Sequence, residues 1–380
     1  MEAAEVLLNF IKGEHTFGQM FNLVKYFFGK KTSAVNWDPI YISIFPTLKC
    51  NLNCDMCITH SKKFENPYGQ QPSKDIEFEL YKQILDKYKN ALAVNLIGNG
   101  EPLLCKDLFP MIEYAARVRK MYTYSSSNGT IVGEYIEKIV NSSLTGFTVS
   151  INGHNAEEFT RMTGMPGKLF EQIRDNTIKL VQARNAAKSK LKISLGIILD
   201  RDNYRMVKDM VDFGYSLGVD NILFHPFVAT PVPGFTAGER CLFSDEPDVV
   251  KTFAEVAALP QKKGVKISLP PLLERAMNGK FCSVPFYNIV FDGEGRAGGC
   301  SCQILNLTEN RKFGEEDVWN NDYMKEFRRR FLDPDFPLLQ PCHWCYNNQG
   351  RSRLLSNPNP LSHLARRLFR RKENKSEPKP

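Results

Sequence analysis

Long apolar runs are missing from this chain of 380 residues. No stretch approaches the ~18 consecutive apolar residues that a membrane-spanning helix requires, so none is predicted. A secretion signal is missing as well. The opening MEAAEVLLNF puts Glu2 where basic residues would stand, and no cleavage site follows, so a cytoplasmic location is the expectation. Cysteine is scarce, with ten residues in all, too few for a disulfide-stapled scaffold. Excess charge is nearly missing from the body of the chain. The formal net charge is +8, but residues 366–380 hold seven basic and two acidic residues, which leaves about +3 for everything else. That is too little to point to nucleic acid. The remaining composition, 42% apolar and 24% charged, is ordinary for a soluble globular chain.

What is present is regular alternation. PIYISIF, ALAVNLIG, KMYTYSSSNG, GFTVSING, LKISLGIIL and DNILFHPF read as six strands between residue 39 and residue 228. Helical stretches lie between most of them, including DIEFELYKQILDKYKN and GKLFEQIRDNTIKLVQARNAAK. Strands alternating with helices predict an α/β fold with a parallel sheet. Residues 1–38 read as two short amphipathic helices, the second able to cap the bottom of a barrel. Residues 229–280 read as a linker with one helix and the short strand VKISLPP. Residues 281–350 read as a small α+β domain opening with a hairpin around Asp292-Gly293, and residues 351–380 as a basic tail.

The cysteines are not scattered. Cys50, Cys54 and Cys57 follow the first strand with spacing C-x3-C-x2-C, and five more lie between residues 282 and 345. Cys105 and Cys241 stand alone and read as packed thiols. Three thiols are one short of a tetrahedral zinc site, unless His60 serves as the fourth ligand. They suit an iron–sulfur cube with one iron left open to a small molecule. The loop leaves the C-terminal end of a strand, where barrel folds place their chemistry.

With this spacing after the first strand of a six-unit array, residues 39–228 resemble the radical S-adenosylmethionine (SAM) enzymes. The resemblance implies a partial (β/α)6 TIM-like barrel, a [4Fe–4S] cluster on Cys50, Cys54 and Cys57, and SAM bound at the open iron. It further implies reductive cleavage of SAM to a 5′-deoxyadenosyl radical that takes hydrogen from a substrate. Gly98-Asn99-Gly100-Glu101-Pro102 resembles the family's Gly-Gly-Glu-Pro segment, with Asn99 in place of a glycine, and implies that Gly98, Gly100 and Glu101 hold the SAM amino group. Ser127 and Asn128 lie in a segment resembling T-N-G-T. Ser150 and Asn152 match the position that meets the ribose, Arg161 an arginine that meets the carboxylate, and Asn203 another cofactor-side position. Met56 stands where an aromatic residue often packs on adenine.

In the second cysteine region, Cys282, Gly295 and Cys300, followed by Cys342 and Cys345, resemble the start of a SPASM domain in its truncated "twitch" form. This implies a second, auxiliary [4Fe–4S] cluster on Cys282, Cys300, Cys342 and Cys345, with Cys302 as an extra thiol. A structural zinc is the alternative for the same four cysteines. Such a cluster would pass an electron to or from the substrate while a side chain takes the proton, and His225, ending the sixth strand, is the candidate base.

The sequence thus predicts a radical SAM oxidoreductase-like enzyme that acts on a small or lipid-linked molecule. Its partners would be that substrate and a reductant such as flavodoxin or ferredoxin, with no nucleic acid. A peptide-modifying maturase is a second enzyme reading, and a zinc-binding interaction protein the non-enzyme one. PLSHLARRLFRRK in the tail and FGQMFNLVKYFFGKK near the start are both apolar and basic, which suits peripheral contact with an anionic membrane.

Overall fold

The computed structural model of the protein describes residues 12–63, 74–229, 234–260, 262, 264–275, 282–301 and 312–345. Most of the expected first helix, Cys302 and the basic tail lie outside the described residues.

All seven strands read between residues 39 and 270 are present: β1 Tyr41–Ile44, β2 Ala93–Leu96, β3 Tyr122–Ser127, β4 Gly146–Ser150, β5 Lys192–Leu199, β6 Asn221–Pro226 and β7 Lys266–Ser268. They pair in sequence order, each parallel to its neighbour. The hairpin around Asp292 is present too, as β8 Asn288–Phe291 and β9 Ala297–Gly298, antiparallel to each other. Its placement departs from the sequence reading. β8 lies parallel beside β1, so the hairpin extends the barrel's own sheet to nine strands. The two edge strands β7 and β9 do not pair with each other, and the half-barrel stays open.

Helices cover one face of the sheet. They are α1 Phe17–Phe28, α2 Phe78–Lys87, α3 Leu108–Glu113, α4 Ile136–Asn141, α5 Ala156–Thr163, α6 Gly167–Ala186, α7 Val207–Leu217, α8 Ala237–Arg240 and α9 Pro247–Ala257. Two more, α10 Asp322–Leu332 and α11 Gln340–His343, follow the hairpin. Ile42, Ile44, Val94, Leu96, Phe147, Val149, Ile193, Leu195 and Ile222 form the helix-covered face, and all are fully buried or nearly so. Their burial, at roughly 25 cal/mol per Å² of apolar surface, is the main force holding the sheet to its helices.

Side chains alternate across a strand, so the other face carries Asn95, Tyr124, Ser126, Thr148, Ser150 and His225. Register joins them across strands: Asn95 pairs with Tyr124, Ser126 with Thr148, and Ile198 with His225. This concave face is polar. Towards the strand starts it is closed by aromatic rings: Tyr41 meets Tyr287, and His15 stands edge-on to Tyr122 with centroids 4.4 Å apart. The His15 ring also reaches the Lys120 carbonyl at 3.0 Å.

Arg328 on α10 fastens the added segments to the same end. It is fully buried and donates to the carbonyls of Pro285, Ser33 and Trp319 and to the Asn320 side chain, at 2.8–3.1 Å. Burial pushes its pKa down to about 10.

Candidate functional site

The cysteine loop lies across the C-terminal ends of β1, β2 and β3 and is pinned at each contact. The Glu101 amide donates to the Lys49 carbonyl at 2.8 Å. Gly100 lies so close that an added Cβ would sit 2.6 Å from the carbonyl oxygens of Thr47 and Lys49, and a Cβ on Gly98 would meet the Phe45 ring at 2.6 Å. Only glycine permits that approach. On the far side, the Asp55 amide donates to the Thr163 carbonyl at the end of α5, at 2.8 Å. Asn51 bonds Thr130 and Asn128, each at 2.8 Å. The His60 ring contacts the Asn99 carbonyl at 2.6 Å.

Within this frame Cys50, Cys54 and Cys57 are partly exposed. The Cys57 amide donates to the Cys54 carbonyl at 2.9 Å. Burial raises the pKa of Cys50, and raises Cys54 to about 12, and in each the neighbouring thiols add to the rise. The three therefore feel each other's charge, and a bound cation would relieve both penalties. Among the described residues no group of three or more His, Cys, Asp or Glu side chains is arranged to hold a single metal ion. Zinc ligands must converge on one ion, whereas a four-iron cube takes each thiolate at a separate corner. Three thiolates on one loop can each take a separate corner of such a cube. Two buried polar atoms beside the loop, Asn99 Nδ2 and Thr59 Oγ1, have no hydrogen-bond partner in the structure. Unpartnered buried donors of this kind mark a place where a ligand belongs.

Several residues read as cofactor contacts also bond the loops of the rim. Glu101 is 1% exposed, and its carboxylate accepts from the amides of Asn128 (2.7 Å) and Leu103 (3.2 Å). Ser127 bonds it as well, while burial raises its pKa. A carboxylate so placed ties the β2 and β3 loops together. Ser127 Oγ also accepts from the Gly129 amide, and Asn128 Oδ1 accepts from Thr130. Asn152 and Asn203 are both spent on Ile198. Asn152 Oδ1 accepts from its amide at 3.2 Å, and Asn203 Nδ2 donates to its carbonyl at 2.9 Å. Arg161 makes a two-pronged pair with Glu158 and faces Asp200 and Asp202. These acids raise its pKa and hold it charged. Asp200 is shared with Arg240. Met56 packs with Ile58 against the cluster containing Phe227, Phe235 and Phe243.

Ser150 and His225 face the cavity. A Cβ on Gly196 would come 3.7 Å from both His225 Nε2 and Ser150 Oγ, and 3.1 Å from Thr148, so three side chains surround one point above Gly196. The His225 ring is open to water yet crowded by protein, as befits the wall of an internal cavity. Crowding lowers its pKa below the ordinary 6.5, so the ring is neutral at pH 7. Asn95, Tyr124 and Thr148 escaped the sequence reading; polar residues at every second strand position are the signal that could have found them.

Antiparallel pairing sends the chain before β8, with Cys282, and the chain after β9, with Cys300, from one end of the hairpin. Cys342 and Cys345 share the turn ending α11, where the Cys345 amide approaches the Cys342 carbonyl at 3.5 Å.

Comparison with known proteins agrees with this geometry. Residues 44–214 match the sequence profile described as Radical SAM superfamily. A probable GTP 3′,8-cyclase of Pyrobaculum aerophilum is 26% identical over 45% of this chain and 52% of its own length. An AdoMet-dependent heme synthase of Methanosarcina barkeri is 23% identical over 49% of each chain. The mycofactocin maturase MftC of Mycolicibacterium smegmatis is 27% identical over 31% of this chain and 29% of its own. The chain spans about half, or less, of the length of these curated relatives. Among solved structures, Streptococcus suis SuiB bound to S-adenosylmethionine superposes with a TM-score of 0.57 at 17% identity, covering 76% of this chain and 67% of SuiB. That likeness speaks to the fold. No described helix is long and apolar enough to cross a membrane. Residues 44–214 therefore carry the sequence profile of the Radical SAM superfamily, on a fold shared with SuiB.

Proposed function

We propose that this chain is a radical SAM oxidoreductase that removes hydrogen from a small, polar, hydroxyl- or amine-bearing molecule. One observation carries the reading: three mutually interacting thiols on a pinned loop stand at the mouth of a half-barrel whose inner face is polar. Cys50, Cys54 and Cys57 would hold the first cluster, with SAM at its open iron and a flavodoxin- or ferredoxin-like donor as reductant. Cys282, Cys300, Cys342 and Cys345 would hold the auxiliary cluster. When bound, these groups supply a hydrogen-abstracting radical and an electron acceptor.

The chain's own residues do the rest. Backbone at Gly98–Gly100 and the unpartnered Asn99 amide orient the cofactor's amino-acid end. Ser150 would hold a substrate hydroxyl or amine above Gly196, beside the Thr148 methyl group and with His225 Nε2 in reach. A carbon beside such a group becomes a carbonyl or imine after losing one hydrogen atom, one electron and one proton. Neutral His225 is placed to take that proton. The tyrosine-closed floor keeps the reaction on the open side.

The test is anaerobic reconstitution with iron and sulfide, followed by reduction and measurement of 5′-deoxyadenosine released from SAM. Brown protein that yields 5′-deoxyadenosine supports the reading. Colourless protein that keeps zinc and leaves SAM intact overturns it. A maturase reading draws on the similarity to MftC, and peptide substrates in the same assay separate the two.

A further inference from the structure

Helix α1 is built inside out. Its buried residues are Gln19, Asn22, Leu23 and Tyr26, two of them polar. Gln19 Nε2 donates to the carbonyls of Ala91 and Arg119, each at 2.9 Å. Asn22 donates to Asp38 and Asn90 and accepts from the Asp38 amide at 2.8 Å. Gly18 lets the helix come so near that a Cβ there would lie 2.4 Å from Asn90 Oδ1. The helix thus caps the carbonyls that lead into β1, β2 and β3.

Four of its apolar side chains point the other way. Phe17, Phe21, Val24 and Phe28 are 76%, 52%, 47% and 68% exposed, at spacings of four, three and four residues that make one stripe. Phe17 and Phe21 stack with centroids 6.3 Å apart, and Lys25 Nζ lies 4.9 Å from the Phe21 centroid. The helix holds no acidic residue, and exposed Lys12, Lys30 and Lys31 flank it. Val118, at the same end of the barrel, is 55% exposed.

The surroundings are basic. Exposed Lys89, Lys120, Lys188, Lys190 and Lys192 stand at or just before the starts of β2, β3 and β5. Lys120 and Lys188 are the two non-glycine residues with positive φ among those described, at 55° and 51°. Glycine or asparagine is the ordinary choice there, so lysine is retained against backbone preference. Asp86 and Asp220 at this end are paired with Arg119 and Arg184, while Glu14 stands at the head of α1.

We infer that this face of the barrel, opposite the cysteine loop, docks on an anionic lipid surface, with the α1 stripe entering the interface and the lysine rim facing the headgroups. A short helix with aromatic side chains on one side, flanked by lysines and free of acids, has interfacial chemistry, and the rim is complementary to negative headgroups. Interfacial aromatics and basic residues act together here, so both salt and aromatic truncation must matter.

The experiment is flotation of the full chain with phosphatidylcholine vesicles, with and without phosphatidylglycerol, at low and high salt. Binding is expected to the anionic vesicles, weakening at high salt. The Phe17→Ser/Phe21→Ser/Phe28→Ser variant is expected to bind at least tenfold less at an unchanged melting temperature. Lys30→Gln/Lys31→Gln, which leaves the aromatic residues intact, is expected to bind several-fold less and guards against a folding artefact. A full chain that stays unbound, whether because residues 1–11 cover the stripe or for another reason, overturns the inference. So does binding that survives the triple change but vanishes on removal of residues 358–380, or a dimer that the triple change disperses.

Discussion

The two ends of the half-barrel solve opposite problems with the same kind of residue. At the strand exits, polar side chains such as Glu101, Asn128, Asn152 and Asn203 bond neighbouring loops, so the loop bearing the three thiols is held in place while the thiols remain partly exposed. At the strand starts, Gln19, Asn22 and Arg328 bond backbone carbonyls and close the floor. One end uses polarity to leave an opening, the other to seal one. Stability and chemistry should therefore be separable by position.

The most severe way to break that contrast is Cys50→Ala/Cys54→Ala/Cys57→Ala. Iron should fall from about eight to about four atoms per chain, and 5′-deoxyadenosine formation should drop below detection. Iron analysis and chromatography of the anaerobic protein check both. If all the iron remains, the assignment of the first loop is wrong. At the opposite end, Arg328→Met should cost about 3 kcal/mol or more of unfolding free energy, since it strands several buried carbonyls at once. SAM cleavage per folded molecule should stay at the wild-type value, as read by denaturant melts alongside the assay. A large loss of cleavage in folded protein would show the ends to be coupled.

His225→Gln sharpens the comparison inside the cavity. Substrate oxidation should fall by about 10²-fold while 5′-deoxyadenosine release continues. The pKa of His225 lies below 6.5, so the ring loses its capacity to accept a proton only as pH falls through that lower value. Wild-type turnover should drop on the acid side, and the variant should lack that limb. An unchanged limb removes His225 from the reaction. The smallest effect should come from Glu101→Gln. The retained shape keeps part of the loop tie, so stability should fall by about 1–3 kcal/mol and SAM affinity by less than tenfold. A hundredfold loss of affinity in stable protein would restore Glu101 as a direct cofactor contact.

Much of this was legible in the chain itself. The strands announced themselves because burial under helices demands continuous β-branched and aliphatic residues, as in ISLGIIL. The cysteine loop was legible because its spacing is tight and its residue type rare. Helix α5 was not, since AEEFTRMT carries its apolar residues sparsely, although Asn155 as its N-cap and Gly164 as its left-handed C-cap were visible signals. The pairing of β8 with β1 was illegible for a different reason: in NIVF three apolar residues follow one asparagine, and nothing local says which sheet edge they complete. Motif position brought Glu101, Asn152, Arg161 and Asn203 to one rim, but polar side chains serve backbone and ligand equally well, and only the three-dimensional arrangement shows the loop contacts each makes.

The inverted helix α1 has a consequence for the order in which the molecule assembles. Leu23 and Tyr26, with Met20 and Phe27 partly buried beside them, give it an apolar grip, and its inward polar contacts are hydrogen bonds to carbonyls that acquire fixed positions only once β1, β2 and β3 have paired. A segment of this kind has little reason to collapse early, because it has no template until the sheet exists. It should fasten last and let go first. In native-state hydrogen exchange its amides should open with a smaller free energy than those of β3 or β5, making α1 a latch whose state can change while the barrel behind it stays folded.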